Sequence, residues 1–366
     1  MSDNRRVYRH IMSSLKQLYP KELKGHKARH LNTLAALIAG IVQSKHSHLE
    51  KIARKIPDQT QIESRIKKFT RFNQNEKVDA ETYFIPFIKP LIAALAAAQV
   101  VTIAMDGSTT GRGCITLMVS IIYNGRAIPI AWVTVKGKKG HLPESTHLEL
   151  LGQLNALFPE DAKVVFLSDG EFDGILLQTA IKYAGWEYVC RTAKNRIVFD
   201  DGDRFALDEI GINSGECIPI FDAGFTDAAY GPVLVIAWWR SGDDAPIYLV
   251  SNFECVAEAC RWYQLRFRIE TFFSDQKSRG FNLHKSHLRD PERIARFLMA
   301  TCLAYIWIIY LGVKVRKQRD VMRQIHRVDR CDLSLFQLGL RYLEYLLNYE
   351  LDLLFGLMLP PPICVR

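Results

Sequence analysis

The sequence predicts an α/β protein, a mixed sheet flanked by helices, with a helical basic region before the sheet and a β-rich insertion within it. Three observations carry that expectation. Positive charge is concentrated at one end of the chain, apolar β-branched runs begin abruptly near residue 98, and three hairpin-linked strands are followed by alternating helix and strand. With 48% hydrophobic and 24% charged residues among 366, the chain can bury a sizeable core. Disordered, collagen-like and small disulfide-scaffold classes are thereby excluded.

The first 90 residues read as short helices. Residues 1–80 hold 17 Lys and Arg against 7 Asp and Glu, so the whole net charge of +9 resides there and the remainder is close to neutral. Such a segment is expected to meet a polyanion. Ser47 with Glu50, and Thr60 with Glu63, have the spacing of capping boxes that open amphipathic helices. In the second helix Ile62, Ile66 and Phe69 share one face, with Lys67, Lys68 and Arg71 opposite. Charge runs are ordinarily solvated faces. Beside this excess, a DNA-contacting helix is expected, with Arg65, Lys67, Lys68 and Arg71 as candidate contacts.

Residues 100–105, 114–123 and 127–135 are apolar runs separated by Gly-containing turns, the pattern of a three-stranded meander. A helix at 144–158, a strand at 162–168, a helix at 172–184 and a strand at 187–191 follow. Further β runs fall at 204–207, 217–221, 233–239 and 246–250, which mark 193–252 as the insertion. Helices resume near residue 255. Residues 297–313 are uncharged and apolar for 17 residues, but Asp290-Pro291 precedes them as an N-cap pair, which favours a buried core helix over a membrane span. Residues 1–10 are polar and basic with no apolar run behind them, so a cytoplasmic protein is expected. The eight cysteines form no C-x-x-C pair and the ten histidines complete no zinc pattern.

Two strand-end sentences carry the first chemical signal: Ile103-Ala104-Met105-Asp106-Gly107 and Leu167-Ser168-Asp169-Gly170. On neighbouring parallel strands, Asp106 and Asp169 would project together at the carboxyl ends, where open sheets bind ligands. Two close carboxylates repel, and a hard cation such as Mg²⁺ resolves the conflict. Asp-Gly is also a common turn dipeptide, and from this pair alone both readings stay open. The stretch 262–277 lacks Gly and Pro and reads as one helix. At about 100° per residue from Tyr263, Arg266, Glu270 and Lys277 fall within an arc of roughly 60°, whereas Asp275 lies off it as a weaker third carboxylate. Tyr, Arg and Lys beside a Glu are suited to holding phosphate oxygens around a metal ligand.

The spacing Tyr263-x(2)-Arg266-x(3)-Glu270-x(6)-Lys277, with Asp106 and Asp169 before it, resembles the Y-R-E-K signature of DDE transposases of the insertion sequence 4 family. The resemblance implies an RNase H-like core in two parts, 98–192 and 253–315, around the insertion, with DNA binding by residues 1–90 and a helical C-terminal region, 316–366, available for oligomerisation. It implies that Asp106, Asp169 and Glu270 are catalytic and bind two Mg²⁺ ions, for which Mn²⁺ can substitute, with Asp106 shared between them. Tyr263, Arg266 and Lys277 are then contacts to DNA phosphates, and Trp238 or Trp239 a base-stacking candidate, set against the plainer reading of core aromatics. The implied function is metal-dependent cleavage and strand transfer at terminal inverted repeats in a bacterial or archaeal cytoplasm. Double-stranded DNA is the partner, a homodimer is expected in the DNA complex, and no membrane is involved. Another RNase H-like nuclease, or a transposase-derived DNA-binding protein without catalysis, are the alternatives. Lesser candidates are Glu171 near a metal shell, the loop 136–141 along DNA, and His284 and His287 as surface or phosphate contacts. The stripe Phe336, Leu340, Leu343, Leu347 and Leu351 packs either on its own core or on a second subunit.

Overall fold

The computed structural model describes residues 2–137, 142–327 and 332–361. Most of the expected loop 136–141, together with Cys331 and Cys364, lies outside them. Helices come first: α1 (Asp3–Leu18), α2 (Gly25–Ser44), α3 (Leu49–Ala53), α4 (Ile62–Gln74), α5 (Ala80–Tyr83) and α6 (Ile85–Ala98). α2 is apolar around its whole circumference from Leu34 to Val42 and is buried throughout that length, as a helix with no polar face must be.

The two capping boxes do not form. α3 begins after His48 and α4 after Gln61, neither with a side-chain cap. Ser47 is instead buried and donates to the Phe281 carbonyl at 2.9 Å, and the Thr60 N–H donates to Asp58 at 3.0 Å. A buried hydroxyl needs a partner more than an exposed helix end does, because water can serve the latter.

β1 (Val101–Gly111), β2 (Cys114–Tyr123) and β3 (Arg126–Lys136) form the antiparallel meander. Every residue of β2 is buried, as a continuous apolar run with both faces covered should be. Pro129 sits at the register shift between β2 and β3, where a strand tolerates a missing N–H. Then come α7 (Glu144–Asn155), β4 (Val164–Ser168), α8 (Ile175–Tyr183) and β5 (Glu187–Thr192), with β1, β4 and β5 mutually parallel. This is the expected mixed sheet.

The β-rich stretch supplies β6 (Ile197–Asp200), β7 (Asp203–Ala206), β8 (Cys217–Phe225), β9 (Tyr230–Trp238) and β10 (Ile247–Ser251). β6, only four residues long, has no counterpart among the expected runs. β10 pairs antiparallel with β5, so these strands continue the same sheet in the order β3-β2-β1-β4-β5-β10-β9-β8-β6-β7.

The chain closes with α9 (Val256–Tyr263), α10 (Ile269–Gln276), α11 (Pro291–Arg316), α12 (Arg319–Ile325) and α13 (Leu335–Asn348). α11 starts where Asp290-Pro291 placed it, with the Asp290 carboxylate accepting the Arg293 N–H at 2.9 Å. It is long and apolar enough to cross a membrane, yet residues 297–309 are all buried inside the fold. α13 lies against it so closely that a Cβ on Gly339 would stand 1.9 Å from the Ile308 carbonyl oxygen. Phe336, Leu340 and Leu343 of the C-terminal stripe are buried here, Leu347 is half-buried, and Leu351 is exposed beyond the helix.

Candidate active site

One register brings the first two carboxylates together. Met105, opposite Ser168, is the last β1 residue to pair with β4. Asp106 and Asp169 therefore follow side by side on strands about 4.8 Å apart. β1 itself does not end at Asp106 as its Asp-Gly sentence suggested; it runs on to Gly111 paired with β2 alone, because the meander supplies a partner that β4 no longer does. Both aspartates are locally tied in the same way. Asp106 Oδ1 accepts the Gly107 N–H at 2.7 Å, and Asp169 Oδ1 accepts the Gly170 N–H at 2.8 Å.

Glu270 arrives on the first turn of α10. The single helix expected over 262–277 is broken: α9 ends at Tyr263, a 3-10 turn spans Arg266–Arg268, and Lys277 is the residue after α10. α9 buries Ala259 and Cys260, and α10 buries Ile269, Phe272 and Phe273. At about 100° per residue those two sets would point roughly 135° apart on one straight helix, so the chain turns to bury both. The spacing of Arg266 and Glu270 survives the turn, with Arg266 Nη2 3.2 Å from Glu270 Oε1.

Arg266 is the hub. Its Nη1 lies 3.4 Å from Asp169 Oδ2 and 3.7 Å from Asp106 Oδ2, so one guanidinium touches all three expected carboxylates. The Arg266 side chain is 12% exposed and that of Glu270 59%. One guanidinium is thus shared among three carboxylates at a partly buried place, and carboxylates gathered so closely favour a cation between them. Carboxylate oxygens without sulfur are the donor set of a hard ion such as Mg²⁺. The carboxylates are spread around the guanidinium, and among the described residues no three His, Cys, Asp or Glu side chains are gathered as ligands of one ion.

The flanking groups also converge. Lys277 Nζ donates to Ser108 Oγ at 2.7 Å, on the strand that carries Asp106. Burial pushes the Tyr263 phenol up to about 12, with Arg266 pulling it back and Asp169 adding to the rise. Asp275 is elsewhere: it is buried, 3.1 Å from Arg126 and 3.4 Å from the Tyr305 hydroxyl, and burial raises its carboxyl to about 6. Glu171 lines the same cavity as the three carboxylates, but its Oε1 accepts the Leu142 N–H at 2.6 Å.

That cavity, about 940 Å³, is also lined by Arg191, Lys194 and Tyr248, which sequence reasoning did not single out. Arg191 and Lys194 lie at the carboxyl end of β5, the third parallel strand, so the rule that pointed to Asp106 and Asp169 could have found them. The chain around them is fastened by the buried Asp173, which accepts from Arg196 at 2.8 and 3.0 Å and from Thr192 at 2.6 Å. Trp238 and Trp239 do not share a strand, since β9 ends at Trp238. Trp238 is half-buried with Arg240 5.3 Å from its ring, and the Trp239 indole donates to the Asp243 carbonyl at 3.0 Å. Neither lines the cavity.

In the N-terminal helices, Lys67, Lys68 and Arg71 are exposed. Arg65 is committed otherwise: its guanidinium donates to the carbonyls of Ala53, Ile56, Asp58 and Thr60, at 2.5 to 3.1 Å, and so ties α3 to α4. Lys68 and Arg71 of α4 face Arg29 and His26 of α2 across a groove of about 610 Å³.

Residues 98–307, more than half of the chain, match the family described as transposase DDE domain. The chain belongs to that family. The matched segment spans β1 through most of α11 and holds Asp106, Asp169, Arg266 and Glu270 of this transposase domain. No curated protein matches the chain. Among solved structures it is similar to a piggyBac transposase synaptic complex with hairpin DNA, at 11% identity over 94% of this chain and 77% of that one, with a TM-score of 0.46. It is also similar to human ENDOV, at 15% identity over 52% of this chain and 92% of that one, and to the catalytic domain of human Endonuclease V, at 14% over 61% and 83%, each with a TM-score of 0.27. None of these structural likenesses bears on what the DDE domain does here.

Proposed function

We propose that this member of the transposase DDE domain family is an enzyme of the insertion sequence 4 type that cuts double-stranded DNA at the terminal inverted repeats of its element and joins the ends to target DNA. The observation that carries this reading is the convergence of Asp106, Asp169 and Glu270 on Arg266, each within 4.0 Å, beside a broad cavity edged with cations. Asp106, Asp169 and Glu270 would hold two Mg²⁺ ions, or Mn²⁺ in their place. When bound, such ions make the attacking oxygen a better nucleophile and stabilise the leaving oxygen.

The chain's own groups position the DNA. Arg266 would offer a planar fork to the phosphate to be cut, Lys277 a point charge beside Ser108, and Tyr263 a hydroxyl that burial keeps protonated. In the first step a water oxygen bonds to phosphorus, the P–O3′ bond breaks, and the 3′-oxygen takes up a proton to leave a 3′-hydroxyl and a 5′-phosphate. In the second, that hydroxyl attacks a target phosphodiester and the displaced target 3′-oxygen takes the proton. One ester bond is exchanged for another, so joining needs no external energy source. Joining two ends calls for a protein pair, hence a homodimer on DNA, acting at the nucleoid. Lys67, Lys68 and Arg71, with Arg29 across the groove, supply the affinity for the ends.

The test uses duplex DNA carrying the ends of the element. Asp106→Ala, Asp169→Ala and Glu270→Ala are each expected to lower Mg²⁺-dependent cleavage at least about a thousandfold, roughly 4 kcal/mol of transition-state stabilisation, while duplex affinity stays within about threefold. Cleavage at wild-type rates by any of the three sinks the assignment.

A further inference from the structure

Three segments remote in sequence converge on the tip of the β1–β2 hairpin. Arg112, exposed at that tip, donates from Nη2 to His287 Nδ1 at 3.2 Å, and its N–H donates to the Leu288 carbonyl at 3.0 Å. Arginine can only donate, so His287 accepts on Nδ1 and carries its proton on Nε2. The His287 ring in turn meets His48 edge-on, with centroids 5.2 Å apart. His48 belongs to the α2–α3 connection, which is fastened to the loop after α10 by Ser47 on the Phe281 carbonyl and by Asn282 on the Lys45 carbonyl at 3.2 Å. Lys51, His48, Lys285 and His284 surround the buried His46, and burial first, then those charges, push its imidazole down to about 4.

Bringing like charges together from three segments opposes folding unless an anion answers them. The acids beside this patch are engaged elsewhere: Glu50 is paired with Arg54 at 2.7 Å, Glu344 with Lys45, and Asp290 caps α11. The arrangement is also rigidly held. His287 sits at φ +61°, a conformation unfavourable for a side chain with a Cβ, and a Cβ on Gly111 would lie 2.7 Å from the Leu288 carbonyl.

The patch has a defined relation to the carboxylates. Lys277 contacts Ser108, and eleven residues later Leu288 contacts Arg112, so the loop after α10 accompanies β1 outward from Asp106. At about 3.3 Å per residue Arg112 lies roughly 20 Å beyond Asp106. That is about six base pairs of B-form DNA, at roughly 3.4 Å each.

We infer that Lys51, Arg112, Lys285 and the histidines between them form a second DNA contact, which grips backbone phosphates of the duplex about six base pairs from the bond that is cut. This rests on the reading of the protein as a DNA-cutting enzyme, and adds a surface outside both the carboxylate site and the α4 groove.

The experiment measures the affinity of the full chain for a fluorescent 40-base-pair duplex of mixed sequence between 50 and 300 mM salt. Arg112→Glu with Lys285→Glu is expected to weaken binding at least tenfold at 100 mM salt. The slope of log affinity against log salt should become shallower by about 2, from two lost phosphate contacts at about 0.9 each. Arg112→Gln with Lys285→Gln should give the same change of slope with a smaller loss of affinity, which separates lost contacts from new repulsion. Unchanged slope and affinity in both variants, with wild type binding normally, overturns the inference. Wild type that shows no salt-dependent duplex affinity overturns the functional reading beneath it, so the two failures are distinguishable. Melting curves matching wild type show that the substitutions, both at exposed positions, leave the fold intact.

Discussion

Glu270 and Asp275 lie five residues apart on one short helix and have opposite surroundings. Glu270 is exposed beside Arg266, while Asp275 is enclosed between Arg126 and Tyr305. Sequence spacing ranked Glu270 first, and the turn that ends α9 did not disturb its i,i+4 relation to Arg266. Glu270→Gln is expected to abolish cleavage, and Asp275→Asn to leave its rate within about threefold, as single-turnover assays would check. Asp275 should appear in stability instead. Its folded carboxyl, near 6, lies above the unfolded value of about 3.9, so its contribution is fully present below about pH 4 and is lost as pH rises through about 6. Urea titrations of wild type should register a loss of the order of 2–3 kcal/mol across that window, and Asp275→Asn should flatten it. Arg266→Lys keeps the charge but not the fork, and a fall in cleavage of about tenfold to a hundredfold is expected.

Elements were legible where apolar pattern alone decides them. β2 appears at the predicted residues because its apolar run is rich in β-branched residues and bounded by Gly-containing turns, the marks of a strand buried on both faces. α11 was marked by its Asp-Pro cap, and its interior by the absence of charge. The capping boxes failed because Ser47 is drawn to a carbonyl 234 positions away, a partner no local rule contains. The long helix at 262–277 failed for a similar reason: its two apolar halves are out of phase, and only the layout of the core tells which face each half must bury. Close packing of α13 on α11 makes a further prediction. Gly339→Ala must displace the Ile308 carbonyl region, and a loss of about 1–3 kcal/mol, or roughly 1–4 °C in Tm for a chain of this length, should be seen by calorimetry.

Across the whole molecule the charge imbalance and the architecture belong to different layers. The +10 segment sits in helices whose inner faces, such as Val7, Ile11, Leu34, Ile38 and Phe69, join one apolar cluster with the sheet and α11. Deleting residues 1–80 would therefore uncover the core, and the truncated chain is expected to aggregate, which size-exclusion chromatography would reveal. Lys68→Glu with Arg71→Glu tests the same surface without that damage, and should lower the salt slope of duplex binding by about 2. Composition, periodicity and the Asp, Tyr, Arg, Glu and Lys spacings by themselves determined the class of fold and the basic end and singled out the candidate carboxylates, because those properties depend on residue type and near neighbours in the chain. Tertiary structure alone decided that Arg266 would join Asp106, Asp169 and Glu270, that Arg65 would be spent on carbonyls, and that His287 would meet both Arg112 and His48. Each of those outcomes depends on sheet register and on burial shared between distant segments, and neither quantity is written in any local stretch of residues.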